Sequence, residues 1–149
     1  MNSIAIASDH GGYNLKTEII EYLKELDCSY RDFGCNNNSS VDYPDYAYKV
    51  SKAVVKKEFE CGILICGTGI GMAIAANKIK GIRAALCHDT FSAKMTREHN
   101  NSNVLTMGGR VIGSGLAKDI VQTWLNTNFS EERRHINRLQ KIDKMFNNQ

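Results

Sequence analysis

The stretch Cys61-Gly62-Ile63-Leu64-Ile65-Cys66, followed at once by Gly67-Thr68-Gly69-Ile70-Gly71, decides the reading of this 149-residue chain. Its first half is apolar throughout, as a strand covered on both faces must be. Its second half is too glycine-rich to continue a strand, and it opens a helical run through Ala73, Ala75, Ala76 and Lys78. Strand, glycine turn and helix make the first half of a βαβ unit, with backbone N–H groups gathered at the turn.

The same alternation extends outward in both directions. Upstream, 3–8 reads as a buried strand ending at Asp9-His10-Gly11-Gly12, and Leu15, Ile19, Ile20, Leu23 and Leu26 fall at helical spacing over 13–26. A short strand over 28–33 is closed by Gly34 and an Asn/Ser-rich loop. Tyr43-Pro44 then opens a helix that runs to about 57, with proline at an early helical position. Downstream come a strand over 83–87, a helix over 89–99 capped by Asp89 or Thr90, a strand over 103–107 and a helix over 114–125. Ile136, Leu139 and Ile142 form the apolar stripe of a charged final helix at about 131–146.

Five strands alternating with helices predict a single α/β domain over 1–149. The expected architecture is a three-layer, doubly wound five-stranded parallel sheet of Rossmann or flavodoxin-like type, with an extra C-terminal helix. Right-handed crossovers bring every strand's C-terminal end to one edge, where ligands bind in such sheets. Asp9-His10, the loop 66–71, His88-Asp89 and Gly108-Gly109-Arg110 all fall at those ends. The final helix is too sparsely apolar to join the core and is expected to pack on a second subunit.

Composition narrows the function. Nineteen basic and sixteen acidic residues give a net charge of +3, too mild for a general nucleic-acid binder. No stretch approaches the ~18 apolar residues needed to span a membrane. The apolar run at the start stops at Asp9 with no basic residue before it, so no secretory signal is expected and the protein is read as cytoplasmic. Five cysteines without a Cys-x-x-Cys pair argue against a disulfide framework, and the four histidines lack metal-ligand spacing.

The loop after Cys66 is an anion site of a particular kind. The dinucleotide fingerprint fails because Met72 stands where its last glycine is required, and Lys78 comes too late for a lysine-bearing phosphate loop. What remains is a turn able to hold a phosphate or a developing oxyanion. Cys28, Cys61 and Cys87 read as small buried hydrophobes. Cys66 differs by position, since a thiolate at a helix N-terminus is stabilised there and can serve as a general base. Asp9 is either a helix cap or an acceptor for sugar hydroxyls. His99 is a surface residue or a group titrating in the range of general acid work. Arg134 and Arg138, four apart, share a helix face that is either solvated or a match for a dianionic phosphate.

These residues resemble ribose-5-phosphate isomerase type B. The matching segments are Ser8-Asp9-His10-Gly11-Gly12, Asp42-Tyr43-Pro44-Asp45, Cys66 to Gly71 with Ala75-Ala76-Asn77-Lys78, Gly81-Ile82-Arg83-Ala84, Arg97-Glu98-His99-Asn100, and Arg134-His135 with Arg138. The resemblance covers essentially the whole chain in order. It implies interconversion of D-ribose 5-phosphate and D-ribulose 5-phosphate, without metal or organic cofactor, in a homodimer or a pair of dimers with shared sites. It implies Cys66 as the base, Thr68 and the N–H groups of Gly69, Ile70 and Gly71 as oxyanion donors beside Gly67, and His99 as the ring-opening group. Asp9 would bind hydroxyls, His10, Arg110, Arg134 and Arg138 would gather the phosphate, and Tyr43 and Asn100 would line the site. Members with a glutamate base carry it further along the loop, where this chain reads Met72-Ala73-Ile74-Ala75. Arg133 stands where the family often has glycine, which leaves two registers for the first tail arginine. A galactose-6-phosphate or allose-6-phosphate isomerase is the sister reading, and a non-catalytic nucleotide-binding module is the rival from another class.

Overall fold

The computed structural model describes residues 3–146. In chain order the elements are β1 Ser3–Ser8, α1 Tyr13–Glu25, β2 Ser29–Asp32, α2 Tyr43–Val55, β3 Cys61–Cys66 and α3 Ile70–Ala76. They continue with β4 Ala84–Leu86, α4 Thr90–Asn100, β5 Val104–Gly108, α5 Ser114–Leu125 and α6 Arg133–Phe146. The five strands form one parallel sheet, so the doubly wound α/β architecture read from the sequence is present. Its order is β2-β1-β3-β5-β4, in which the last two strands exchange the places that the flavodoxin order gives them.

Strand alternation builds a core on each face of the sheet. Ile4, Ile6, Ile63, Ile65, Leu105 and Met107 pack with Leu15, Ile19 and Leu23 of α1, Ala93 of α4, and Ile120, Val121 and Trp124 of α5. Ala5, Ala7, Leu64 and Cys66 face the other way, against Ala47, Val50 and Ala53 of α2 and Met72 and Ala76 of α3. Each buried Leu or Ile contributes about 1.5–3 kcal/mol.

Two register facts position the site. Ser8 pairs with Ile65, and Cys66 pairs with Gly108, so the chain leaves β1, β3 and β5 at nearly the same level. Asp89 is the cap of α4: its carboxylate accepts the Ser92 N–H at 2.7 Å and the Ser92 hydroxyl at 2.8 Å. In α6 only His135 is buried, so this helix stands largely off the body. Among the described residues no helix is long and apolar enough to cross a membrane.

Candidate active site

Three strand ends meet at Cys66. A Cβ on Gly11 would lie 2.9 Å from the Gly67 nitrogen, and one on Gly109 would lie 2.8 Å from the Gly11 carbonyl oxygen. Only glycine lets these backbones touch. The turn after β5 is stitched to the loop after β3: Gly109 N–H donates to the Cys66 carbonyl at 2.8 Å, and Arg110 N–H donates to the Gly67 carbonyl at 3.0 Å. The Arg110 guanidinium thereby lies over Gly67, and the Tyr43 ring lies over Gly71.

The Cys66 thiol is buried at the floor of the loop, where its sulfur accepts the Gly69 N–H at 3.0 Å. Gly69 makes this possible with φ of +78°, a left-handed conformation that glycine adopts without strain. Burial pushes the Cys61 and Cys87 thiols up to about 12. They are inert fillers of the core, as the sequence reading expected.

The loop's other donors are divided between tasks. Ile70 N–H donates to the Thr68 hydroxyl at 3.3 Å, and the first bond inside α3 runs from Ala73 N–H to the Gly69 carbonyl. Among the described residues the N–H groups of Gly71 and Met72 therefore stand outside the helical ladder, as the first donors of a helix do. Gly69, expected as an oxyanion donor, instead serves the sulfur. Met72, not singled out from the sequence as a donor, is the third residue of α3, so its N–H is among the helix's first donors.

Asp9 is 7% exposed, and its carboxylate accepts the Gly12 N–H at 3.1 Å, which fixes the turn into α1. His10 Nδ1 accepts the Val41 N–H at 3.2 Å. That bond puts the proton of neutral His10 on Nε2 and ties the loop 35–42 to the site. Lys16, 1% exposed, anchors the same loop by donating to both Asp32 oxygens at 2.7 and 2.6 Å and to the Cys35 carbonyl at 2.6 Å. Neither Val41 nor Lys16 carried a sequence signal, because their roles arise from contacts between distant segments.

The remaining expected residues lie elsewhere. α4 leaves the sheet's C-terminal edge after β4 and runs back for eleven residues, about 16 Å at 1.5 Å each. His99 and Asn100 therefore sit beside the opposite edge, where Asn103 N–H bonds the Arg83 carbonyl ahead of β4. There the His99 ring packs on His135 in a tilted contact, 4.4 Å between centroids. His135 is 2% exposed and shares a 2.8 Å hydrogen bond between Nδ1 and the Ser130 hydroxyl. Burial first, then His99, Arg134 and Arg138, push its pKa down, with Glu132 acting the other way. Arg134 and Arg138 thus both act on His135.

One chain so carries the expected residues in two groups at opposite edges of its sheet. Asp9, His10, Tyr43, Cys66, Gly67, Thr68, Gly69, Ile70, Gly71 and Arg110 form the first, and His99, Asn100, Arg134 and Arg138 the second. Near the edge strand β4, Ile70 and Ile74 of α3, Leu86 of β4, Phe91 of α4 and Val111 after β5 are exposed apolar side chains.

Known proteins are similar to this chain in sequence and in fold. YwlF of Bacillus subtilis, named for an inferred sugar phosphate isomerase activity, is 60% identical over 140 residues, 93% of each chain. Ribose-5-P isomerase B of Listeria innocua is 47% identical over 143 residues, 95% of this chain and 97% of that one. The structure of Clostridium thermocellum ribose-5-phosphate isomerase B superposes with a TM-score of 0.96 at 51% identity, covering 98% of both chains. Residues 4–142 match the family described as ribose/galactose isomerase, and with a thiol-floored glycine loop at the junction of three parallel strands the chain belongs to that family.

Proposed function

We propose that this chain is an aldose–ketose isomerase that interconverts D-ribose 5-phosphate and D-ribulose 5-phosphate through an enediolate, with Cys66 as the base. The observation that carries the reading is the Cys66 sulfur held by the Gly69 N–H at 3.0 Å, in the turn that opens α3. The thiolate takes the proton from C2 of the linear aldose. The electron pair moves onto the C1 oxygen, the O2 hydrogen passes to O1, and returning the proton to C1 as C2=O2 forms gives the ketose. Every atom and electron stays within the sugar and the protein, so no cofactor is needed.

Thr68 and the N–H groups of Gly71 and Met72 take the developing oxyanion, each such donor being worth about 2.7–4 kcal/mol. Asp9 accepts from sugar hydroxyls, and Tyr43 and Ile70 wall the site. His10 through Nε2–H, together with Arg110, receives the phosphate from one side. Arg134 and Arg138 of a second copy receive it from the other, while His99 of that copy opens the furanose ring and Asn100 lines the pocket. The exposed apolar side chains near β4 support this homodimer, because an edge strand and five such side chains call for a cover. Five free thiols suit a reducing compartment, and the reading places the enzyme in the cytoplasm.

A six-carbon substrate is the second reading. The loop 35–42 leans on His10 through Val41 and sets how far from Cys66 a phosphate can lie. Turnover of ribose 5-phosphate compared with galactose and allose 6-phosphates, in wild type and Cys66→Ala, tests both points. The five-carbon sugar is expected to be preferred, and the variant to lose about 10²–10⁴-fold. Preference for a six-carbon sugar would overturn the substrate, and full activity in Cys66→Ala would overturn the base.

A further inference from the structure

Arg97 has no part in the chemistry above, yet it ties together everything that surrounds His99. Its Nε donates to the Thr127 carbonyl at 3.1 Å, and its Nη1 donates to the Ser102 carbonyl. The guanidinium lies 4.9 Å from the Trp124 ring centre, and the Trp124 indole N–H donates to the Ser102 hydroxyl at 2.8 Å. One planar fork thus grips two chain segments at once, which the two-pronged geometry of arginine allows and the single ammonium of lysine does not.

Both segments lead to His99. On one side, Asn101 N–H bonds the Arg97 carbonyl with Asn101 at φ of 47°, and Ser102 N–H bonds the Thr96 carbonyl at 3.1 Å. That turn is where α4 ends, directly after His99 and Asn100. On the other side, Thr127 begins the connection from α5 to α6. This connection continues to Ser130, whose N–H bonds the Glu98 carbonyl at 3.1 Å and whose hydroxyl bonds His135 Nδ1 at 2.8 Å. His135 closes the circuit by packing on His99. Arg97 itself points away from His99, since residues two apart on a helix do not share a face.

We infer that Arg97 is the positioning residue for His99: it holds the α4 end and the α5–α6 connection in one frame, so that the His99 imidazole meets the furanose at the angle that ring opening needs. The inference rests on the ring-opening role given to His99 under the proposed function. Opening moves a proton from the anomeric hydroxyl O1 to the ring oxygen O4, as the C1–O4 bond breaks and the C1=O1 bond forms. Only ribose 5-phosphate requires this step. Ribulose 5-phosphate has its C5 oxygen esterified and is already linear, and linear ribose 5-phosphate released by the enzyme closes by itself in water.

Proton transfer between the linear ketose and the enediolate therefore needs no ring opening, whereas net isomerisation does. The experiment compares kcat/KM for ribose 5-phosphate isomerisation with deuterium uptake from D2O at C1 of ribulose 5-phosphate, for wild type, Arg97→Lys, Arg97→Met and His99→Asn, with thermal melting of each. Arg97→Lys is the working variant, since it keeps the cation and most of the stem if Arg97→Met fails to fold. The expected result is a loss of isomerisation at least tenfold larger than the loss of exchange, in Arg97→Lys as in His99→Asn. Equal losses of the two activities in Arg97→Lys, with the selective loss in His99→Asn, would overturn the inference alone. Equal losses in His99→Asn would overturn the ring-opening role and this inference with it.

Discussion

A mixed dimer tests the two half-sites most directly. Cys66→Ala destroys the first half-site and leaves the second, and His99→Asn does the reverse. Within one chain the two are separated by the length of α4, about 16 Å, and no side chain bridges that distance. If protomers complete each other, a heterodimer of the two variants contains one site with both residues intact and one with neither. Random association makes half the dimers mixed, each with one working site of two, so the expected recovery is about one quarter of wild-type activity. The assay co-expresses the variants under two different affinity tags, re-equilibrates the subunits and follows ribose 5-phosphate consumption against each parent. Tandem purification of the mixed dimer should raise the figure to about one half. A mixed dimer no more active than its parents would refute the shared site, because a site built within one chain leaves no intact copy in the heterodimer.

Gly69→Ala should fold less stably and lose most activity. Its φ of +78° costs a substituted residue about 1–2 kcal/mol, and the new Cβ would lie 2.7 Å from the Met107 carbonyl carbon. Calorimetry and kcat check it, and wild-type values for both would refute the geometry given to the loop. Arg138→Met should raise the KM for the sugar phosphate about tenfold to a hundredfold with a smaller change in kcat, as expected for one charge-assisted bond of about 1.5–3 kcal/mol; an unchanged KM removes Arg138 from the phosphate site. His135 predicts a pH effect on stability. Its pKa is pushed below the ordinary 6.5, so the unfolded chain binds the proton first as pH falls. The stability it supports is complete above about pH 6.5 and declines as pH drops from there towards the lower folded value. Urea midpoints between pH 7.5 and 5.5 should fall in wild type and flatten in His135→Gln, and equal slopes would clear His135.

Much of this protein was legible in its sequence because the relevant forces are local. Periodicity distinguishes a fully covered strand such as Cys61–Cys66 from an amphipathic helix such as α1, and one residue type in one turn suffices to mark Gly67 to Gly71. Parallel topology then obliges the ends of β1, β3 and β5 to share an edge, so Asp9, Cys66 and Arg110 could be grouped before any coordinates. Helix ends were less sharp, as with α3, which stops at Ala76 short of Lys78.

Tertiary structure alone decided three things. The exchange of β4 and β5 put a short edge strand beside the glycine loop, a choice between sheet orders that propensity does not register. The division of donors, with Gly69 N–H turned to the sulfur and those of Gly71 and Met72 left open, follows from a single positive φ. The separation of His99, Asn100, Arg134 and Arg138 from Cys66 follows from the direction in which α4 runs. A sequence pattern records which residues lie on one face of an element. It does not record which distant segments Arg97, Lys16 or His135 will touch, because those contacts depend on where the chain returns after many residues.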